Sequence, residues 1–413
     1  MLKLAVIGFG KRGREFGKKI YEDENAQLVA VADPVKSSRE LAMEYGVAPE
    51  MLFETADDFF AKGKICDAIF ICTQDAQHID MAMKAMELGY DICLEKPAAV
   101  NIEDCIAIRD TANRLGRKVM LTHVLRYAPI YQQIKKVIDD GVLGDIVTIN
   151  QTENIAYWHF SASYVRGPWR KMADSSCTII AKCCHDLDII NWLMPSKCTT
   201  VSSFGNLYHF RSENAPEGSA DWCVVCDPKT KETCLYNAYN VYPKCMKTAV
   251  VGGTARLQEK DIYEVLDGKE DAIGRCVYHS DNDAIDNQVV NMIFEDGATA
   301  HLTMTAFSER CYRYIHVHGT KGQIHGDVET GILHLTVYGQ EEQIIDVNKL
   351  TDNLLNDGHG GGDYFLYKDF VDYVTVDSPS FTRTTINDSM ISHVMGFKAE
   401  ESRIAGGMPM AIQ

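Results

Sequence analysis

Apolar and polar positions alternate in blocks along the first 120 residues. Leu2 to Ile7 is a short apolar run, a glycine-rich turn follows, and Arg14 to Tyr21 carries helical spacing. A second strand-like run, Leu28 to Ala32, ends at Asp33-Pro34. Ala68 to Cys72 and Asp91 to Leu94 are two more, with a helical pattern from His78 to Leu88 between them. This alternation predicts a parallel sheet with helices on both faces. Later the period changes. "NQVVNMIFEDGATAHLTMTAF" alternates apolar and polar residues around Asp296-Gly297, a hairpin signal, and "CYRYIHVHGTKGQIHGDV" repeats that form. "YFLYKDFVDYV" and "SMISHVMGFKAEESRIA" near the end read as two amphipathic helices.

A chain of 413 residues exceeds one ordinary core, so two domains are expected, residues 1–122 and 123–413. The net charge of -17 argues against nucleic-acid or anionic-membrane partners. The N-terminal apolar run is too short for a secretion signal, and no 18-residue apolar run follows. The 14 cysteines therefore read as thiols or metal ligands in a reducing cytoplasm.

Gly8-Phe9-Gly10-Lys11-Arg12-Gly13 is a G-x-G-x-x-G that follows a strand and opens a helix. Asp33 stands 20 residues past Gly13, at the end of the next strand. That is the dinucleotide fingerprint in its required context. Gly8 permits the tight turn, Gly10 lets backbone approach a pyrophosphate, and Gly13 allows close helix–strand packing. The helix N-terminus offers N–H groups to the phosphates. Asp33 would bind ribose hydroxyls and repel a 2′-phosphate, which favours NAD over NADP; Arg12 and Lys36 nearby pull the other way. Glu95-Lys96-Pro97 places a lysine at the carboxyl end of a parallel strand, where ligands of open α/β sheets bind. Pro97 is a candidate for a cis bond that fixes this turn.

GFGKRG, VADP and "CTQDAQHIDMAMKAMELGYDICLEKP" together resemble the glucose–fructose oxidoreductase, inositol dehydrogenase and MocA family of NAD(P)-dependent enzymes. The resemblance continues in "HVLRYAPIYQQIKKVIDDGVLGDIVTI", in "HGTKGQI" and in "GHGGGD". It implies a Rossmann domain followed by an α/β domain whose open, mainly antiparallel sheet carries substrate and forms a homodimer or homotetramer. It also implies that Lys96 touches both substrate and nicotinamide, and that Thr73 and His78 lie on a loop beside the cofactor. Glu95 belongs to the same motif.

Members acting on sugars carry D-x-x-x-H on a helix, with both side chains at the reacting hydroxyl. In "AKCCHDLDII", His185 matches the histidine, but Ala181 stands where the aspartate is expected. His185 is then the proton-transfer candidate beside Lys96, since an imidazole titrates near neutrality. Asp188, three residues on, either orients it or simply faces the first domain, and Lys182 lies three residues before it. Cys183 and Cys184 read as core thiols. The stretch "ENIAYWHFSASYVRGPWRK" sets Tyr157, Trp158, Tyr164 and Trp169 among Arg166, Arg170 and Lys171, a composition suited to sugar faces and to hydroxyls or carboxylates. His123, Arg126 and Tyr127 are further candidates to line the cleft.

A cysteine-rich insertion spans about residues 207–246. Cys223 and Cys226 form a C-x2-C knuckle, Cys234 follows, and His209 precedes. Three thiols and an imidazole suit tetrahedral Zn²⁺ in a closed structural site, and the polar segment needs a staple. Cys245 is the alternative fourth ligand, and free loop thiols are the plain alternative. The "GHGGGD" loop either brings His359 towards a ligand or is only a connection. The expected activity is hydride transfer between NAD and a sugar, sugar acid or glycoside. A redox-neutral NAD-dependent glycosidase or lyase is the alternative, and a non-catalytic dinucleotide sensor fits poorly with Lys96 and His185 both present.

Overall fold

Leu2–Ile7 (β1) pairs in parallel with Ala26–Ala32 (β2) on one side and with Ala68–Ile71 (β4) on the other. Leu52–Phe53 (β3), Asp91–Leu94 (β5) and Val119–Leu121 (β6) complete a six-stranded sheet in the order β3-β2-β1-β4-β5-β6. The computed structural model describes residues 1–245, 262–269, 272–350 and 359–412. All four residues of β4 are buried, as a strand covered by helices on both faces requires. Strand order reverses between β1 and β4, which opens a crevice at their carboxyl ends. β3 and β6 are two and three residues long, too short to show a period in the sequence.

The second sheet has nine strands in the order β14-β13-β12-β11-β7-β10-β9-β8-β15. Its centre is Ile146–Ala156 (β7), parallel to Thr299–Ser308 (β10) and antiparallel to Tyr312–Gly319 (β11). The other strands are Cys198–Asn206 (β8), Asn287–Phe294 (β9), Gly322–Asp327 (β12), Ile332–Val337 (β13), Gln343–Asp346 (β14) and Met410–Ala411 (β15), all paired antiparallel. Gly297 takes φ +88 in the β9–β10 turn, a conformation glycine adopts without strain. The helices Thr178–Leu193 and Ile386–Ile404 pack against each other, and the second also packs on β8. Among the described residues no helix is long and apolar enough to cross a membrane.

The last helix joins the two units. Ile386, Met390 and Val394 belong to the core on one face of the first sheet, while Met395 and Ala399 belong to the larger core that runs from that sheet's other face into the second. Thr384 accepts from the Leu121 backbone N–H at 2.8 Å, next to a Met120–Thr385 bridge. So the chain returns from the second unit to cover the edge of the first. His393 on this helix is buried, with Nε2 accepting from the Ala98 N–H at 3.0 Å and Nδ1 donating to the Ser389 carbonyl at 2.9 Å. The bond that Nε2 accepts requires the neutral ring. Burial, reinforced by His123, pushes its pKa down to about 4. As pH falls from about 6.5 towards 4, the unfolded chain binds a proton here that the folded chain refuses, so stability is lost. This group alone should contribute up to about 1.4 kcal/mol per pH unit. Denaturant unfolding at pH 7, 6 and 5 should show that fall, with a shallower slope in His393→Asn; equal slopes would remove His393 from the acid response.

Candidate active site

The β1 turn is built for close approach. Gly8 has φ +85, and a Cβ there would meet the Cys72 carbonyl oxygen at 2.6 Å; at Gly13 a Cβ would lie 2.0 Å from the Gly8 oxygen. At Gly10 a Cβ would meet nothing within 4 Å, so the space above the turn is open. The Lys11–Glu22 helix begins there without a side-chain cap, leaving its first N–H groups for an anion. Thr73 Oγ1, beside Gly8 on the neighbouring loop, is buried without a partner. These features fit a dinucleotide pyrophosphate. Phe9 contributes only backbone, because its ring is fully buried in the core. Lys11 is exposed. Asp33 accepts from the Phe9 and Val35 N–H groups at 2.6 and 2.8 Å, which orients its carboxylate at the end of β2.

Arg12 is a hub of carboxylates. Its guanidinium pairs with Glu95 at 2.6 Å, Glu15 at 2.5 Å and Asp363 at 2.8 Å. Burial opposes the charge on Glu95, yet Arg12 holds this carboxylate below its ordinary range. Lys96-Pro97 is cis. His78 is fully buried, with Nδ1 2.7 Å from the Pro97 oxygen and Nε2 3.2 Å from the Thr73 oxygen. It braces the loop beside the turn and offers no free nitrogen to a cofactor.

Lys96 Nζ donates to the Ala181 carbonyl at 2.9 Å. Ala181 is one turn before His185 on the Thr178–Leu193 helix, so the lysine of the first unit meets the histidine of the second. Burial, followed by the Lys96 charge, holds the His185 ring well below its ordinary pKa, so it is neutral at pH 7. Its Nδ1 is buried without a partner. The ring of His359 lies 6.1 Å away between centroids. His359 Nδ1 is 2.8 Å from Asp363, which Arg12 also holds. The glycine-rich loop therefore places a histidine–carboxylate pair opposite His185.

Asp188 does not orient His185. It takes two hydrogen bonds from Arg126, at 2.6 and 2.7 Å, and lies 3.3 Å from His123, all of them buried. Burial opposes its charge, but Arg126 holds it well below the carboxylate range. Arg126 and Asp188 thus satisfy each other. Lys182 instead pairs with Glu153 at 3.0 Å, and Arg313 pairs with Glu153 at 2.8 Å and with Asp186 at 2.9 Å. The sequence reading missed Glu153 and Arg313. A signal existed, since Gln151 and Glu153 sit on the inward phase of β7, between Ile149 and Ile155.

The aromatic and basic loop after β7 divides differently from its composition. Trp169 donates to Asp75 at 3.0 Å and stacks on Tyr164, tying this loop to the one that carries Thr73. Tyr157 meets Tyr236 edge-on, and Trp158 packs against the small core around Cys223 and Val241. Arg170 pairs with Asp281 and Lys171 with Asp283. Arg166 is 1% exposed and points into the cysteine insertion. All three cations already have partners. His209 is not among the thiols: its Nε2 meets the Tyr278 hydroxyl at 3.1 Å, and its ring packs on Phe210, Tyr236 and Phe307. The Cys245 side chain lies outside the described residues.

Residues 2–123 match the oxidoreductase family described as NAD-binding Rossmann fold, and residues 135–403 match the same family's C-terminal alpha/beta domain. A 2,7-anhydro-N-acetylneuraminate hydratase of Mediterraneibacter gnavus is 28% identical over 50% of this chain and 53% of its own length. An inositol 2-dehydrogenase/D-chiro-inositol 3-dehydrogenase of Lactiplantibacillus plantarum is 27% identical over 49% of this chain and 55% of its own length. The match thus spans about half the length of each of these relatives. The crystal structure of the WlbA dehydrogenase of Bordetella pertussis, in complex with NADH and UDP-GlcNAcA, shares the fold with a TM-score of 0.72 at 16% identity, covering 100% of this chain and 98% of that one.

Proposed function

Because the chain belongs to the Gfo/Idh/MocA oxidoreductase family, we propose that it oxidises a hydroxyl of a sugar, sugar acid or glycoside with NAD, with Lys96 and His185 at the reacting oxygen. The observation that carries this is the meeting of Lys96 with the His185 turn across the two units. NAD supplies the hydride acceptor when bound over the Gly8–Gly13 turn. Lys96 would steady the negative charge that builds on the hydroxyl oxygen. His185, kept neutral by burial, would take the proton. The open face of the nine-stranded sheet exposes Val147, Phe204, Ile293, Phe307 and Ile344, which supports assembly through that face.

One observation favours the redox-neutral alternative. Two histidines, His185 and the Asp363-paired His359, face one space. Oxidation needs a single base, whereas elimination across two carbons also needs an acid. Incubating the protein with NAD and a panel of inositols, uronates and glycosides separates the two. Accumulating reduced nicotinamide supports oxidation; product without net reduction supports the alternative. Full turnover by protein stripped of nicotinamide would overturn both.

Asp33→Ala tests the cofactor reading. Loss of charge-assisted hydrogen bonds worth about 1.5–3 kcal/mol should weaken NAD binding roughly 10- to 100-fold and NADP binding less. Equal losses by calorimetric titration, or a native preference for NADP, would remove Asp33 from the ribose.

A further inference from the structure

Cys223, Cys226, Cys234 and Cys276 line one small cavity of about 10 Å³, together with Arg166, Pro216 and Tyr236. That is room for one water or one ion. Cys223 and Cys226 bracket a single 3-10 turn, Cys223–Val225. Cys276 arrives from another part of the chain, held by its N–H on the Asp221 carbonyl at 2.9 Å and by the adjacent Trp222–Arg275 bridge. Two sulfurs already accept backbone N–H groups: Ala238 donates to Cys223 and Ala220 to Cys226, each at 3.4 Å. Such bonds stabilise negative charge on sulfur.

Arg166 is the second, independent observation. A guanidinium is always charged, and Arg166 is the largest fully buried side chain among the described residues. Its Nε donates to the Arg275 carbonyl at 2.6 Å, and Nη2 donates to the Tyr236 carbonyl at 2.7 Å and to Cys223 Sγ at 3.7 Å. Nη1 is buried with no partner. Among the described residues no carboxylate answers this guanidinium, and a buried cation without a counter-charge is costly. Four neutral thiols leave it unanswered. Four thiolates on one divalent cation carry net charge -2 and answer it.

We propose that this cavity is a structural site for one soft divalent cation of the Zn²⁺ class, held by Cys223, Cys226, Cys234 and Cys276, with Arg166 as its buried counter-charge. Cys276 takes the place that the knuckle spacing assigned to His209. Each bound thiol releases its proton to solvent, so the cation exchanges for protons without a redox step. Among the described residues no group of three or more His, Cys, Asp or Glu side chains stands placed to hold a metal ion as they lie, so loading requires the four thiols to rotate onto the cavity. The site has no open position and therefore does no chemistry. It fixes the insertion against the loop of Arg166, whose Trp169 reaches the cofactor loop through Asp75.

Elemental analysis of full-length protein expressed with zinc in the medium should find about one zinc per chain. Four thiols should become reactive only after chelator is added. Co²⁺ reloading of the chelated protein should give the thiolate-to-cobalt and d–d absorption of tetrahedral sulfur ligation. His209→Ala should keep the metal, whereas Cys276→Ser should lower metal content at least about tenfold. If Cys276→Ser fails to fold, thiol protection and the Co²⁺ spectrum of the unaltered protein still decide. Metal-free protein that titrates all four thiols without chelator and takes up no Co²⁺ would overturn the proposal. So would His209→Ala losing metal while Cys276→Ser retains it.

Discussion

His185→Ala should lower turnover by about 10²- to 10⁴-fold while leaving NAD affinity nearly unchanged. The ring lies beside Lys96 and is not part of the Gly8–Gly13 turn, so its loss should remove the proton acceptor and spare the cofactor site. Lys96→Ala should cost a similar factor, with the two losses well short of additive, because both groups act on one oxygen. The pH profile supplies a second check. Burial and the Lys96 charge place the His185 pKa well below 6.5, so the acid limb of kcat/KM should fall below that value. Near-native turnover in either variant on a true substrate would return that residue to packing. An acid limb centred at 6.5 that survives in His185→Ala would assign the base elsewhere, with His359 the first candidate.

Asp188→Ala should destabilise the fold by about 3–5 kcal/mol, the usual cost of removing one partner of a buried ion pair. The reason is Arg126, which would stay charged and buried, having lost both of its carboxylate bonds. The pairing holds Asp188 well below the carboxylate range. Its contribution is therefore present above the unfolded pKa of about 3.9 and is lost as pH falls through the folded value. Replacing both partners with apolar residues of similar size should recover much of the loss. Denaturant midpoints of the single and double variants measure this. A loss below about 1 kcal/mol, with a large rise in KM, would instead place the pair against substrate.

Much of the first unit was legible because its signals are local. A strand, a glycine turn, a helix and an acid at the next strand end occupy one contiguous stretch, and the turn's steric needs admit few residues besides glycine. The four longer strands of the parallel sheet and the Lys96 position follow from such local patterns, whereas β3 and β6, two and three residues long, do not. The β9–β10 hairpin was equally legible, since Asp296-Gly297 and the alternation around it lie within one segment.

The second unit was legible in outline and misleading in detail, because polar side chains there are satisfied by residues distant in sequence. Asp188 looked like the partner of His185 by helical spacing, but Arg126, 62 residues earlier, claims it. Arg12 looked like a nearby cation that weakens the preference for NAD over NADP, but Asp363 and Glu95 hold it. His209 looked like a thiol partner, but the fold turns it to Tyr278 and brings Cys276 to the cavity. Sequence alone determined the elements and the cofactor turn, because hydrophobic period and backbone sterics act between neighbours along the chain. Only the tertiary structure decided which charge meets which, because a buried charge is paired by whatever packing brings within a few ångströms, and packing joins residues that the chain holds far apart.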